Sequence, residues 1–405
     1  MDDRGSTISA VPAPADYVRP RFSGNGGRFV RLLIAGGLLQ LVTFGFYRFW
    51  LLTDVRRHLW SGTSIDGDAL EYTGRGRELL IGFLIAIAIL APLFFIYFLI
   101  GVEAERYKAF ASLPLYLILF FLMQFATYRA RRYRLTRTVW RGVRFWMKGG
   151  GWGYAVQSIL WAFLVVITLG LAHPWREAAL ERYKMRNTFF GDLQGRFVGT
   201  GWGLLKSAWV LWFIGVVAIV AAIVALVPEL GESGRAMATG QKALLGGLPV
   251  LIAIVLAVFW PIYQAIEWRW WAAGLRFGDV VFESAFPRTK VLVLYLRYIA
   301  YVFLSGVVVG IVIFGAAMGL RGVVTPDFLD AAKYPLIALS VIGYLLILLG
   351  LGVAYRYFLQ HQLWRVVVDT LMIRNLAASA QAAGSGQKVN ALGEGLLDGL
   401  DVAGF

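Results

Sequence analysis

Three histidines, His58, His173 and His361, are the side chains here most able to ligate a metal or shuttle a proton, and the chain has no cysteine. Each is far from the others in sequence. None has the His-x-His or His-x3-His spacing that sets two imidazoles on one side of a strand or helix. They read as interfacial polar residues, so no metal site and no cofactor are expected. The lack of cysteine removes disulfides, thiolate ligands and thiol nucleophiles together.

The stretch GTGWGLLKS (199–207) has the glycine richness of a phosphate loop. Such a loop needs glycine directly before Lys206, and Leu205 stands there. It reads instead as a loop-to-helix entry, whose free amides could accept a lipid phosphate. A membrane proton relay needs carboxylates inside a crossing. Asp54, Glu78, Glu177 and Glu181 fall at interfaces, and Glu267 at the end of an apolar run beside Arg269. Arg297 is the most interior charge. It is expected to snorkel to the nearer face, with substrate binding as the alternative. Arg356, near the end of its run, reads as a second snorkeling arginine. No serine–histidine–carboxylate set is suggested by spacing, so no enzymatic activity is expected.

A repeated frame is the strongest pattern. TFGFYRFW (43–50) and TLGLAHPW (168–175) share the form T-x-G-x4-W at a shift of 125. Thr43, Gly45 and Trp50 meet Thr168, Gly170 and Trp175. The same shift brings Arg57 to Arg182, Thr63 to Thr188, and Gly74 and Gly76 to Gly199 and Gly201. A shift of 75 brings Arg57, Thr63, Gly67 and Gly74 to Arg132, Thr138, Gly142 and Gly149. A fainter echo links RNTFFGD (186–192) with GLRFGD (274–279). In each T-x-G frame the threonine is expected to bond back to a helix carbonyl, the glycine to turn the chain, and the tryptophan to anchor among headgroups. The alternative is a pseudosymmetric substrate site lined by both frames. TSIDGDALEY (63–72) and TVWRGVRFW (138–146) read as short hairpins turning at Asp66-Gly67 and at Gly142.

These residues must be positioned by elements that live in a bilayer. Hydrophobic residues make up 59% and charged residues 16% of the 405, against about 45–50% and about 25% in soluble domains. Apolar runs fall near 29–52, 79–101, 111–127, 152–173, 203–227, 243–266, 291–320 and 334–358. The net charge of +15 is concentrated in the connectors 53–78, 128–150, 174–202 and 267–290. Basic connectors stay cytoplasmic, and they all do so if runs 29–52 and 152–173 dip in and return. The expectation is therefore an all-α polytopic membrane protein. It has six transmembrane helices plus two re-entrant or interfacial segments, short β-like cytoplasmic hairpins and an internal duplication. Eight crossings is the alternative. Both termini are cytoplasmic in either arrangement. The basic charge then meets anionic lipid headgroups rather than nucleic acid. No signal peptide is read in the polar residues 1–21, so the first apolar run is expected to target the chain.

The units are a disordered tail (1–21), repeat unit 1 (22–146), repeat unit 2 (147–290), a C-terminal transmembrane pair (291–373) and a cytoplasmic tail (374–405). In that tail Glu394, Asp398 and Asp401 fall on one helical face. This acidic face either docks on the arginine-rich loops or is solvated.

FSGNGGRF (22–29), the TFGFYRFW frame, DGDALEYTGRGRELL (66–80), RLTRTVWRGVRF (134–145) and LGLAHPW (169–175) resemble the YjgN-type family of bacterial inner-membrane proteins. The resemblance extends over roughly residues 20–375, and the tail GEGLLDGLD is also similar to endings in that family. It implies location in the bacterial inner membrane and brings no catalytic residues. Two functional expectations stand. One is a transporter, channel or lipid-handling protein with a path between pseudo-equivalent units. The other is a scaffold that presents its arginine-rich loops to a partner protein or to anionic lipid.

Overall fold

A computed structural model describes residues 17–103, 108–231, 239–319 and 326–382. The fold is mostly helical. Helices α1 (Gly26–Val42), α2 (Arg48–Ser61), α3 (Gly76–Glu103), α4 (Lys108–Thr136), α5 (Trp152–Ile167), α6 (His173–Arg186), α7 (Gly201–Gly231), α8 (Thr239–Gly274), α9 (Arg288–Gly319), α10 (Pro326–Tyr355) and α11 (Leu363–Thr370) follow one another in hairpin-like pairs. A π-helical stretch, Arg356–Gln362, joins α10 to α11.

The chain is not all-α, because its short hairpins assemble into extended sheet. The strands are β1 (Tyr17–Val18), β2 (Arg21–Phe22), β3 (Thr63–Ile65), β4 (Asp68–Ala69), β5 (Glu71–Tyr72), β6 (Thr138–Trp140), β7 (Val143–Met147), β8 (Thr188–Phe190), β9 (Leu193–Phe197), β10 (Leu275–Phe277), β11 (Val280–Ser284) and β12 (Leu371–Arg374). Nine of them pair in the order β1-β12-β11-β10-β9-β8-β7-β6-β5, and three in the order β2-β3-β4. All pairings are antiparallel. The two sheets share chain segments. Residues 17–22 carry β1 in one and β2 in the other, interrupted at Pro20, which has no N–H to give a ladder. Residues 68–72 carry β4 and β5, and between them the Leu70 N–H still donates to the Thr63 carbonyl at 2.9 Å. The pairing therefore returns to its start and forms a ring. The pairings between hairpins join residues 41 to 357 positions apart, which is why a local pattern sees only isolated hairpins.

One backbone bond recurs at every junction of this ring. Ser23 N–H donates to Gly62 O (2.8 Å), Thr73 to Arg137 (2.8 Å), Lys148 to Asn187 (2.8 Å), Val198 to Gly274 (2.9 Å) and Ala285 to Thr370 (3.1 Å). In each case the donor lies just before one helix, and the acceptor lies at or just past the end of the next helical segment to reach the ring. Each helical hairpin thus leaves the ring and comes back to it. The ring interior is filled. Trp140, Phe190, Val280 and Ile373 are buried there, with Val18, Ile65, Leu70, Phe145, Leu193 and Phe277 packed against them. Leu376, from the 3-10 turn Leu376–Gln381, joins the same core. The ring thus takes in residues 17–21 and 374–381, stretches that composition alone assigns to tails.

The turns follow the expected chemistry. Asp66 and Gly67 have φ of 52° and 87°, and Arg141 and Gly142 have φ of 49° and 75°. Two successive positive φ values give hairpins whose twist matches their strands. Gly191 and Gly278 occupy the corresponding turns of β8–β9 and β10–β11, which explains the echo between 186–192 and 274–279.

Among the described residues, three stretches are long and apolar enough to cross a bilayer: Gly76–Leu99, Arg288–Ala316 and Tyr334–Thr370. Trp152–Ile167 is apolar but shorter. Runs 29–52 and 152–173 are not single helices. Each breaks at its T-x-G frame into two helices of 14 to 17 residues. The acidic face at 394–401 lies outside the described residues.

Candidate functional site

The two T-x-G frames build the same turn. Thr43 Oγ donates to Leu39 O at 2.7 Å and accepts from the Tyr47 N–H at 3.0 Å. Thr168 Oγ donates to Leu164 O at 2.8 Å and accepts from the Ala172 N–H at 3.0 Å. Gly45 and Gly170 have φ of 91° and 92°, and each donates its N–H to a carbonyl five residues back at 2.7 Å. The residue before each glycine is also left-handed: Phe44 at 50° and Leu169 at 48°. A bulky residue there costs on the order of 1–2 kcal/mol. Both are exposed, Phe44 at 94%. Leaving a phenylalanine side chain bare in water forgoes roughly 1.5–3 kcal/mol of burial. Strained backbone and bare apolar tips thus occur together, at the far end of both short hairpins.

The remaining motif residues brace these hairpins on the ring. A Cβ on Gly76 would lie 2.8 Å from Trp50 Cγ, and one on Gly201 would lie 2.8 Å from Trp175 Cγ. Each tryptophan therefore packs on the glycine that starts the following helix. Arg57 Nη2 donates to Gly74 O at 2.9 Å, and Arg132 Nη1 to Gly149 O at 2.7 Å. Arg182 departs from this scheme and bonds Ala178 O, leaving Gly199 to the rings of Phe197 and Trp270. Thr63, Thr138 and Thr188 each bond back to the carbonyl four residues earlier, at 2.8 to 2.9 Å, where helix gives way to strand. Thr63 also accepts from Trp364 Nε1 at 2.9 Å, and Thr138 from Trp60 Nε1 at 3.0 Å. Gly67 and Gly142 are turn positions. Arg297 is exposed on α9 and is not brought to any of these groups.

A polar ladder joins α6 to α8. His173, Glu177 and Glu181 fall at i, i+4 and i+8 on α6, and Tyr263, Glu267 and Trp271 do so on α8. One stripe therefore faces the other rung by rung. His173 Nε2 lies 3.0 Å from Tyr263 Oη, and Trp271 Nε1 donates to Glu181 Oε2 at 3.1 Å. Glu181 is buried. It also accepts from Arg131 Nη1 of α4 at 3.2 Å and is paired with Lys184. Burial pushes its carboxyl up, but Lys184, Arg131 and the Trp271 bond outweigh this and bring it down to about 2. The middle rung sets Glu177 against Glu267, and Glu177 is paired with Arg176 and faces His173 Nδ1 at 3.6 Å. Glu267 lies just past the apolar run 243–266. Burial first, and then the Glu177 and Glu181 charges, raise it to about 7. It can take up or release a proton near neutrality. Sequence reasoning set these carboxylates aside as interfacial. The two i, i+4, i+8 stripes were the available signal.

The structure also unites two of the three histidines. The rings of His58 and His361 lie 5.8 Å apart, with the Phe29 ring against both. His361 is fully buried. Burial and the Arg28 charge lower the His58 pKa. Aromatic packing accounts for this pair, and among the described residues no group of three or more metal-ligating side chains converges.

The chain belongs to the family described as "Bacterial protein of unknown function (DUF898)", which matches residues 18–399. A stretch of 145 residues is 27% identical to the protein named "Inner membrane protein YjgN" of Escherichia coli (strain K12), and 28% identical to the protein of the same name in Escherichia coli O157:H7. Each match spans 35% of this chain and 35% of the relative. No solved structure matches the chain.

Proposed function

We propose that this member of the DUF898 family, similar over part of its length to a protein named as an inner membrane protein, is a multi-pass membrane protein that handles lipid. In this reading α3, α4, α7, α8, α9 and α10 make six crossings. The pairs α1/α2 and α5/α6 enter to half depth and return, and the ring lies at the cytoplasmic face with both termini. Lengths support the count. Helices α4, α7 and α8 have 29, 31 and 36 residues, ample for a hydrocarbon core of ~30 Å at ~1.5 Å per residue. The matched T-x-G turns support a duplication of residues 22–146 as 147–290.

The observation that carries the reading is the pair of hairpin tips. Their exposed apolar side chains suit hydrocarbon and not water, and a re-entrant arrangement would bring the strained backbone to about the level where a leaflet's chains end. The packed ring interior weighs against an aqueous channel along the ring axis. Purified full-length protein in vesicles holding a trace of fluorescent phospholipid tests this. Faster equilibration of the label between leaflets than in protein-free vesicles is expected. Solute leakage with no lipid movement would reject lipid handling in favour of transport.

A second reading, a scaffold, is favoured by the closed ring with exposed arginines at Arg21, Arg75, Arg141 and Arg196. There the basic face serves as a platform for anionic lipid or an acidic protein. Vesicles in which lipid neither moves nor leaks, but which bind the protein's soluble partners, would favour it.

A further inference from the structure

A groove of about 460 Å³ runs between α1, the first T-x-G turn and α10. Its walls are apolar, with Leu33, Leu41, Leu345 and Leu349 among them; Leu349 packs on Gly37, while Gly45 and Gly352 leave room along it. Polar side chains enter it at Gln40 and Arg356. Arg356 opens the π-helical stretch, at the end of α10 nearest the ring, and Phe44 and Gly45 lie at the opposite end. From Leu345 to Arg356 the helix advances about 16 Å. That is roughly half of a ~30 Å hydrocarbon core, the reach of one leaflet.

We propose that this groove holds one acyl chain of an anionic phospholipid from the ring-side leaflet, with its phosphate against the Arg356 guanidinium. The proposal rests on the lipid-handling reading and names the ligand class. Three features select this occupant. The groove is apolar along its length and cationic at one end, the distribution of charge in such a lipid. Its length matches one chain in one leaflet. Its cationic end is on the ring side, near the end of the apolar run 334–358, where a guanidinium can meet a phosphate through charge-assisted hydrogen bonds.

The test uses the full chain, purified from nanodiscs containing equal phosphatidylglycerol and phosphatidylethanolamine, with retained lipid read by native mass spectrometry. Gly352→Phe fills the groove, since a Cβ there meets nothing within 4 Å. Gly343→Phe is the control, on the same helix, equally open and outside the groove. The expected result is a phosphatidylglycerol molecule retained by wild type and by Gly343→Phe, and at least about tenfold less by Gly352→Phe. Arg356→Gln should keep a lipid but lose the preference for phosphatidylglycerol. Equal retention by Gly352→Phe, or no headgroup preference in wild type, would overturn the proposal. Should Gly352→Phe fail to fold, a phosphatidylglycerol with a photoreactive acyl chain decides. Cross-links on residues 33–45 and 345–353 of wild type support the groove, and cross-links confined to other helices reject it. Lipid retained here without movement between leaflets would reject only the lipid-handling reading. Movement without retention would reject only the groove.

Discussion

The guanidinium of Arg365 donates to the carbonyl of Gly24 at 3.0 Å, across 341 positions of sequence. This is the bond that Arg57 makes to Gly74 and Arg132 to Gly149. It marks the junction where the two ends of the chain complete one hairpin, β12 with β1 and β2. Near it, Trp364 donates to Thr63 and stacks on Trp60 with ring centroids 5.0 Å apart. Trp364→Phe keeps the ring and loses the donor, and should cost about 1 kcal/mol. Thermal melting of the purified protein reads it. A double-mutant cycle with Thr63→Val that gave no coupling would remove Trp364 from the junction.

The tryptophan–glycine contacts predict steric loss. Gly76→Ala and Gly201→Ala should each destabilise by about 1–3 kcal/mol, because the new methyl meets Trp50 or Trp175. Gly215→Ala on α7, where a Cβ meets nothing within 4 Å, should be neutral or mildly stabilising. Equal melting temperatures for all three would mean that the tryptophans do not brace the hairpins.

Membrane depth can be read at the tips. Phe44→Asp or Leu169→Asp puts a charge in hydrocarbon, at a cost of about 2.5–3.5 kcal/mol near the centre of a bilayer. Yield of inserted protein should fall, while Phe44→Trp is tolerated. Undiminished insertion of both aspartate variants would place the tips in water.

Sidedness is accessible because the chain has no cysteine. Single cysteines at Ser61 and Gln194, exposed beside the ring, should resist an impermeant thiol reagent added to intact cells. One at Tyr334, exposed at 77% near the far end of α10, should react. The reverse pattern would invert the protein in the membrane.

The polar ladder predicts two opposite pH effects. The folded state holds Glu267 protonated up to about 7 against an ordinary value of 4.5. Stability should therefore decline as pH rises from about 4.5 to about 7, and Glu267→Gln should flatten that decline. Glu181 is held down at about 2, so its contribution should be lost as pH falls from 4.5 towards 2. Glu181→Ala leaves Arg131 and Lys184 without their carboxylate, at a cost of about 3–5 kcal/mol. Melting curves across pH check both. An unchanged profile for Glu267→Gln would mean that Glu267 is ionised throughout.

Local features were legible in the sequence and non-local ones were not. The T-x-G turns, the Asp66-Gly67 turn and the back-bonding threonines each depend on neighbours within five positions, and their residue types announce them. The ring depends on pairings such as Tyr17 with Arg374, for which no periodicity exists. Because its fifth hairpin is divided between the chain ends, shifting the sequence against itself cannot reveal it. The ladder was missed for another reason. Glu181 sits in a basic connector and Glu267 at the end of an apolar run, where a charge usually meets solvent, and the parallel approach of α6 and α8, with Arg131 of α4, buries them.

The split hairpin also orders events during synthesis. Strand β12 leaves the ribosome hundreds of residues after β2 and β3, so the seam between the chain ends is the last whose strands are all available. Until then the nascent sheet has two open edges that can recruit a foreign strand. Rejoining the ends through a linker and opening the chain at another junction would move that vulnerable interval without altering the finished molecule.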